Sequence, residues 1–344
     1  MHFRDANLGI SDPPIERVAV FDEAQRAWDS AHLAKFMAQK RGKADFDQSE
    51  PEFLMGIMDR HTDCCTVVCL VGGGQEINSG EAGLTEWFAA LESHFRHWKV
   101  YISHQLGHRD YNWDRDLTAI LNGLDIEVRG PLHLSVPVRS FRAEKLSEFV
   151  GALVAGEAEI ARALYKEIRP TYPIVLMRSL STARRWLKAR ARGTERIALV
   201  ASSEAARLKP EGLNVRDRID PTFWFLNGKD DVRLSYYLED PATEFDIQGL
   251  ELDWVGVCWD ADFRAVNGQW AHHTFTGTRW QNVKGRFRKL YLTNAYRVLL
   301  TRARQDIVVY VPNGDTNDAT RQPEFYDGTA EFLLRCGIEP IECK

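Results

Sequence analysis

The sequence predicts an α/β fold in two domains with mostly parallel sheets, and three observations carry that reading. Short runs rich in Val, Ile and Leu recur between longer amphipathic stretches. Many of these runs are apolar at successive positions, without alternation, which is the pattern of parallel strands covered on both faces. At 344 residues the chain is long enough for two cores of ordinary size.

The candidate strands, in order, are 17–21 (RVAVF), 64–72 (CCTVVCLVG), 99–103 (KVYIS) and 132–136 (LHLSV). They continue with 172–177 (YPIVLM), 196–202 (RIALVAS), 254–259 (WVGVCW) and 306–312 (DIVVYVP). Amphipathic segments at 81–98 and 142–168 read as helices, and strands alternating with helices give a mostly parallel sheet. A boundary is expected near 130–140, where two prolines interrupt "EVRGPLHLSVPVRSF", giving domains 1–135 and 136–344. The polar stretch 205–245 is long for a plain connection, and such stretches are usually functional or inserted.

A composition of 44% hydrophobic and 27% charged residues belongs to a globular protein. No run approaches the roughly 20 apolar residues that span a bilayer, and "MHFRDANLGI" has no signal-peptide core, so no membrane association is expected. Cysteines 64, 65, 69, 258, 336 and 343 follow no disulfide or zinc spacing, which fits a reducing cytoplasm. His272 and His273 lack ligand partners at metal spacing and read as loop histidines.

A net charge of −5 argues against a wholesale nucleic-acid binder, yet the charge is unevenly spread. From Phe263 to Gln305 there are nine Arg or Lys and no Asp or Glu, and 168–194 is a second acid-free window. The first window interleaves Phe263, Trp270, Phe275, Trp280, Phe287, Tyr291 and Tyr296 with its cations, as single-strand binders do. Core rings with solvated arginines are the alternative, and both stay open on sequence.

The chemistry gathers at the ends of apolar runs. In "VAVFDEAQRAW" a strand runs into Asp22 and Glu23. A carboxylate there supplies a hard oxygen ligand for Mg²⁺, and an adjacent acid can polarise the water that attacks a phosphate. A solvated acid pair opening a helix is the competing reading. The next strand ends in "VGGGQE", where glycines permit close backbone approach to a ligand and Gln75 follows. Further on, "DIQGLELDWV" sets Gln248, Gly249 and Glu251 before a strand, and "YRVLLTRARQ" sets Arg302 on a helix entering the next one. Arg302, and Arg139 in "SVPVRSF", are candidates for arginines delivered to a γ-phosphate; a structural ion pair is the alternative for either.

Taken in order, "DEAQ", "GGGQE", "VRSF", "DIQGLELDWV" and "YRVLLTRAR" resemble motifs II to VI of superfamily 1 helicases, and specifically the Schlafen group 3-like DNA/RNA helicase domain family. The resemblance runs from about Phe3 to Ile341. It implies two RecA-like domains binding ATP and Mg²⁺ and acting on single-stranded DNA or RNA. By resemblance, Asp22 ligates Mg²⁺ through water, Glu23 is the catalytic base, and Gln25 belongs to the nucleotide site. Gln75 contacts the γ-phosphate region, Arg139 and Arg302 are fingers, and Gln248, Gly249 and Glu251 link nucleotide to nucleic acid.

One expected element is absent from the sequence. No G-x-x-x-x-G-K-[ST] string occurs, and "VGGGQEINSG" lacks the Gly-Lys-Ser/Thr ending whose amides and lysine hold phosphates. Motif II arrives after about 20 residues, so the first RecA-like domain is expected to be incomplete at its N-terminus, through truncation, gene splitting or loss. A second chain supplying the P-loop is an expected partner. The functional readings are therefore a helicase-like ATPase and a non-catalytic nucleic-acid-binding relic, with a metal-dependent nuclease built on Asp22 and Glu23 as a third.

Overall fold

The computed structural model describes residues 2–41, 46–72, 84–106, 123–134 and 141–341. The chain divides into two compact units, Met1–Val136 and Pro137–Lys344.

The first unit contains helices α1 (His2–Asn7), α2 (Ser30–Arg41), α3 (Glu50–Met58) and α4 (Leu84–His94). Its strands are β1 (Val18–Phe21), β2 (Thr66–Cys69), β3 (Lys99–Ile102) and β4 (Asp125–Val128). Ser49 caps α3 by accepting the Glu52 N–H, and Glu50 and Glu52 lie in its first turn, complementing the helix dipole. Strands β1 and β2 pair in parallel, as do β3 and β4. Phe21, Val67, Cys69, Val100 and Ile102 face a core of Trp87, Phe88 and Leu91 from α4. The opposite face of β1 carries Val18 and Val20 at 59% and 63% exposure, so β1 alternates where burial on both faces was expected.

The strand expected at 132–136 is absent over its described part, where Gly130–Leu132 forms a 3-10 turn. The strand lies earlier, at Asp125–Val128, because pairing with β3 overrides the more apolar "LHLSV" run.

The second unit centres on six parallel strands in the order β13-β5-β12-β8-β6-β7. They are β5 (Ile174–Met177), β6 (Ile197–Ala201), β7 (Ala242–Thr243), β8 (Leu252–Cys258), β12 (Ala303–Tyr310) and β13 (Glu339–Pro340). Here β5 and β6 are buried at every position, as the unbroken apolar runs require. The 142–168 segment is two helices, α5 (Phe141–Val154) and α6 (Ala158–Ile168), broken at Gly156, whose φ of 83° ends the first. Helix α7 (Leu180–Arg190), capped by Ser179, lays Ala183 and Leu187 against the sheet. Gly256 in β8 makes room for that packing: a Cβ there would lie 2.6 Å from Leu199 Cδ2 and 3.0 Å from Leu187 Cδ1.

The polar stretch after β6 holds the short α8 (Pro221–Leu226) and two 3-10 turns, Ala206–Glu211 and Ser235–Tyr237. After β8 comes an antiparallel sheet of β9 (Phe263–Val266), β10 (Gln269–Thr276) and β11 (Arg279–Asn282). Then follow α9 (Arg286–Leu300), β12 and α10 (Glu324–Arg335). His272 and His273, expected in a loop, lie on β10, and burial is the first cause lowering both to about 4.

Candidate functional site

In the first unit the sequence-predicted acids occupy a tight turn at the carboxyl end of β1. Phe21 and Leu70 hold the strand tips together: Leu70 N–H donates to Phe21 O at 2.9 Å and Ala24 N–H to Leu70 O at 2.8 Å. Between them Glu23 adopts the left-handed conformation, φ 53° and ψ 45°, which costs a non-glycine residue roughly 1 kcal/mol. The turn sets Asp22 in solvent, its Oδ1 accepting the Glu23 N–H at 2.9 Å.

Gln25, expected to serve the nucleotide, is 1% exposed and spans the turn. Its Nε2 donates to Glu23 Oε2 at 2.5 Å, and its Oε1 accepts the Gly72 N–H at 3.0 Å. The amide thus ties the candidate base to the first residue of the triple glycine that follows β2. Trp87 locks the turn from below, its indole N–H donating to Ala24 O at 2.7 Å. Gln75 and Arg139 lie outside the described residues.

In the second unit the "DIQGLELDWV" and "TRARQ" stretches meet at the amino-terminal edge of neighbouring strands. Leu252 of β8 pairs with Ala303 of β12, and Leu252 N–H donates to Arg302 O at 3.1 Å. The turn before β8 is set by Asp246, whose Oδ2 accepts from Thr243 N–H at 2.8 Å and Thr243 Oγ1 at 2.6 Å. Gly249 has φ 75°, and Gln248 is half-buried beside it. Arg302 is not on a helix as expected. Helix α9 ends at Leu300 and Arg302 forms the link to β12, buried at 6% exposure. Arg304, on the strand, faces out and donates from Nε to Glu251 Oε2 at 2.6 Å.

Gly249, Glu251 and Arg304 border an open groove of about 630 Å³ that also takes in Arg196, Phe225 and Asp253. Asp253 Oδ2 accepts the Arg196 N–H at 2.7 Å. Glu195, on the same rim, is held below the usual carboxylate range, first by the Trp254 indole and then by the Gln305 amide. Glu195, Arg196 and Phe225 lie in no motif stretch, so only the fold brings them to this rim.

A second group missed in the sequence reading follows β8. Asp260 and Asp262 are 1% and 0% exposed. Tyr326 donates to Asp260 Oδ1 at 3.1 Å, and Tyr296 donates to Asp262 Oδ1 at 2.6 Å. Burial pushes both carboxyls above the usual range, and the Asp260 charge raises Asp262 further. Two acids in one apolar "VCWDADF" run were the available signal.

The family model for the Schlafen group 3, DNA/RNA helicase domain matches residues 5–313. The chain belongs to that family. No curated protein matches it. As a Schlafen group 3 helicase domain, the chain is expected to meet ATP and Mg²⁺. Exposed Asp22 with Glu23 beside it is a hard-oxygen set suited to Mg²⁺, which takes one or two protein carboxylates and completes its shell with water and phosphate. Among the described residues no group of three or more His, Cys, Asp or Glu could hold a metal without such help. The metal side of the site therefore fits, whereas no G-x-x-x-x-G-K-[ST] string occurs in the sequence. Among the described residues no helix is long and apolar enough to cross a membrane.

Proposed function

We propose that this Schlafen group 3 helicase domain is the motif II-to-VI part of a superfamily 1 helicase-like ATPase, two RecA-like domains coupling ATP hydrolysis to single-stranded DNA or RNA in the cytoplasm. The observation that carries the reading is the Glu23–Gln25–Gly72 chain of hydrogen bonds, which joins an acid at a strand tip to a glycine segment. A turn held in left-handed strain by its neighbours is the kind of backbone found at working sites.

In this reading Asp22 would hold Mg²⁺ through water, and Glu23 would serve as the base for the attacking water. Gln25 would hold the Glu23 carboxylate in place through its Nε2. ATP with Mg²⁺ supplies the phosphoryl group and neutralises its charge. Arg302 and Arg139 would stabilise the developing negative charge, Gln75 would sense the γ-phosphate region, and Gln248, Gly249 and Glu251 would carry that state toward the bound strand. The phosphates need backbone amides and a lysine from elsewhere, either a further segment or a partner chain.

A second reading has its own support. With no G-x-x-x-x-G-K-[ST] string in the sequence, the chain can be a nucleic-acid-binding module that does not hydrolyse ATP. Calorimetric titration with Mg²⁺ and a non-hydrolysable ATP analogue, with and without single-stranded nucleic acid, separates the two. A micromolar constant that weakens on Arg302→Ala supports the ATPase. No heat at millimolar analogue from folded protein supports the binding module.

A further inference from the structure

We infer that the β10–β11 hairpin and the first turn of α9 form a landing surface for a single-stranded nucleic acid, with Arg279, Lys284, Arg288 and Lys289 on its phosphates and Phe287 stacked on a base. The inference rests on the nucleic-acid reading above and assigns it a surface distinct from the motif residues.

The fold sorts the acid-free window 263–305 into two groups. Arg264 lies inside, its guanidinium 4.1 Å from the Phe325 ring, Arg302 is buried, and Arg304 is taken by Glu251. The side chains of Arg279, Lys284, Arg288 and Lys289 are exposed and have no hydrogen-bond or ion-pair partner among the described residues. They are also close along the chain: Arg279 opens β11 opposite Thr276, Asn282 ends that strand, and α9 starts four residues later at Arg286.

The rings sort in the same way. Phe263, Trp270 and Trp259 stack on one another in the interior, with Phe263 and Trp270 centroids 4.4 Å apart at 17°. Tyr296 is fully buried, and the Trp280 indole is held by Thr320 O at 2.8 Å. Phe287 is different, standing 50% exposed between Arg286 and Arg288. An exposed ring flanked by cations suits a base on a backbone, because base stacking on aromatics is sequence-tolerant and the phosphates satisfy the charges.

The surroundings agree in sign. No acid lies in the first turn of α9, and no side chain caps it, so the positive end of the helix adds to the field. A carboxylate, Glu204, accepts from Thr274 Oγ1 at 2.6 Å, at the register of Gln281, and bounds the basic run on that side.

The test is fluorescence anisotropy of a labelled oligothymidylate and of an oligouridylate against the whole chain, titrated with salt. Duplex DNA and polyglutamate serve as competitors. The triple variant K284Q/R288Q/K289Q changes only exposed side chains and should bind at least tenfold more weakly. Its salt slope should be shallower by about two, since single strands lose roughly 0.7 per phosphate contact. F287A should weaken binding about fivefold or more with the slope unchanged. Equal affinity and slope in the triple variant would overturn the assignment while leaving the family reading intact. Competition by polyglutamate as strong as by oligonucleotide, with F287A silent, would overturn it in favour of an acidic protein partner. Wild-type protein that binds no strand at low salt would sink the nucleic-acid reading as a whole. Analogue titration of the same triple variant, unchanged from wild type, shows that the nucleotide half of the proposed function stands or falls separately.

Discussion

The amide of Gln25 accepts the backbone N–H of Gly72 at 3.0 Å across 47 residues of sequence. This contact joins two stretches that the sequence presents as separate motifs, and it does so from a side chain that is almost wholly buried. Gln25 is therefore best understood as the residue that positions Glu23.

Substituting Gln25 by Leu keeps its volume and removes both hydrogen bonds. The Gly72 N–H and the Glu23 carboxylate then lose a partner in a partly buried place, which costs about 1–3 kcal/mol. Urea denaturation of Gln25→Leu should show that loss, and amide exchange should quicken at Gly72.

Asp22 is exposed and bonded only within its own turn, so Asp22→Ala should leave stability within about 0.5 kcal/mol. The same change should remove the Mg²⁺ dependence of ATP-analogue binding. Titrations with and without Mg²⁺, on protein whose unfolding midpoint is unchanged, check both halves.

Asp260 and Asp262 make the stability of the second unit depend on pH. Each has a folded-state pKa above its unfolded value, raised first by burial. Their contribution is complete below the ordinary carboxylate range of roughly 4 and is lost as pH rises through the raised values. His272 and His273 act in the opposite sense, since burial lowers them to about 4 and their contribution is lost as pH falls. Asp262→Asn should flatten the alkaline side of the profile, removing a fall in stability on the order of 1 kcal/mol or more. Unfolding free energies of both proteins across pH 5 to 9, a range of roughly two units either side of neutrality, provide the check, and parallel curves would refute the assignment.

Arg302 and Arg304 should separate cleanly in stability. Arg304 is 61% exposed in its side chain, and its pair with Glu251 is worth at most about 1 kcal/mol. Arg302 is enclosed, so Arg302→Ala leaves polar neighbours and a void, costing roughly 1–3 kcal/mol. Thermal unfolding of the two single variants measures the difference.

Gly256→Ala places a methyl 2.6 Å from Leu199 Cδ2, beneath α7. Overpacking of this kind costs about 1–3 kcal/mol. A lowered denaturation midpoint with unchanged slope is the expected result.

Much of this fold was legible in the residues. Strands such as Ile174–Met177 and Ile197–Ala201 are unbroken apolar runs because they are buried on both faces, and nothing in their surroundings competes with that pattern. The acids of β1's tip were equally visible, because a carboxylate pair closing a strand is a local pattern. The β9–β11 sheet was not legible, since its aromatics and cations read equally well as a helix face until cross-strand pairing sets which rings go inside. The strand at Asp125–Val128 was missed for the same reason: its partner β3, and not its own polar sequence, decides it.

The sequence by itself determined the α/β class, the order of the motifs and the absence of a phosphate-binding string, all properties of residues near one another in the chain. Only the tertiary structure decided that Gln25 serves Gly72, that Arg302 is buried while Arg304 meets Glu251, and that Phe287 stands in solvent among exposed cations. Those outcomes depend on which surfaces the packing removes from water, and burial is a property of the assembled chain that no short stretch of it contains.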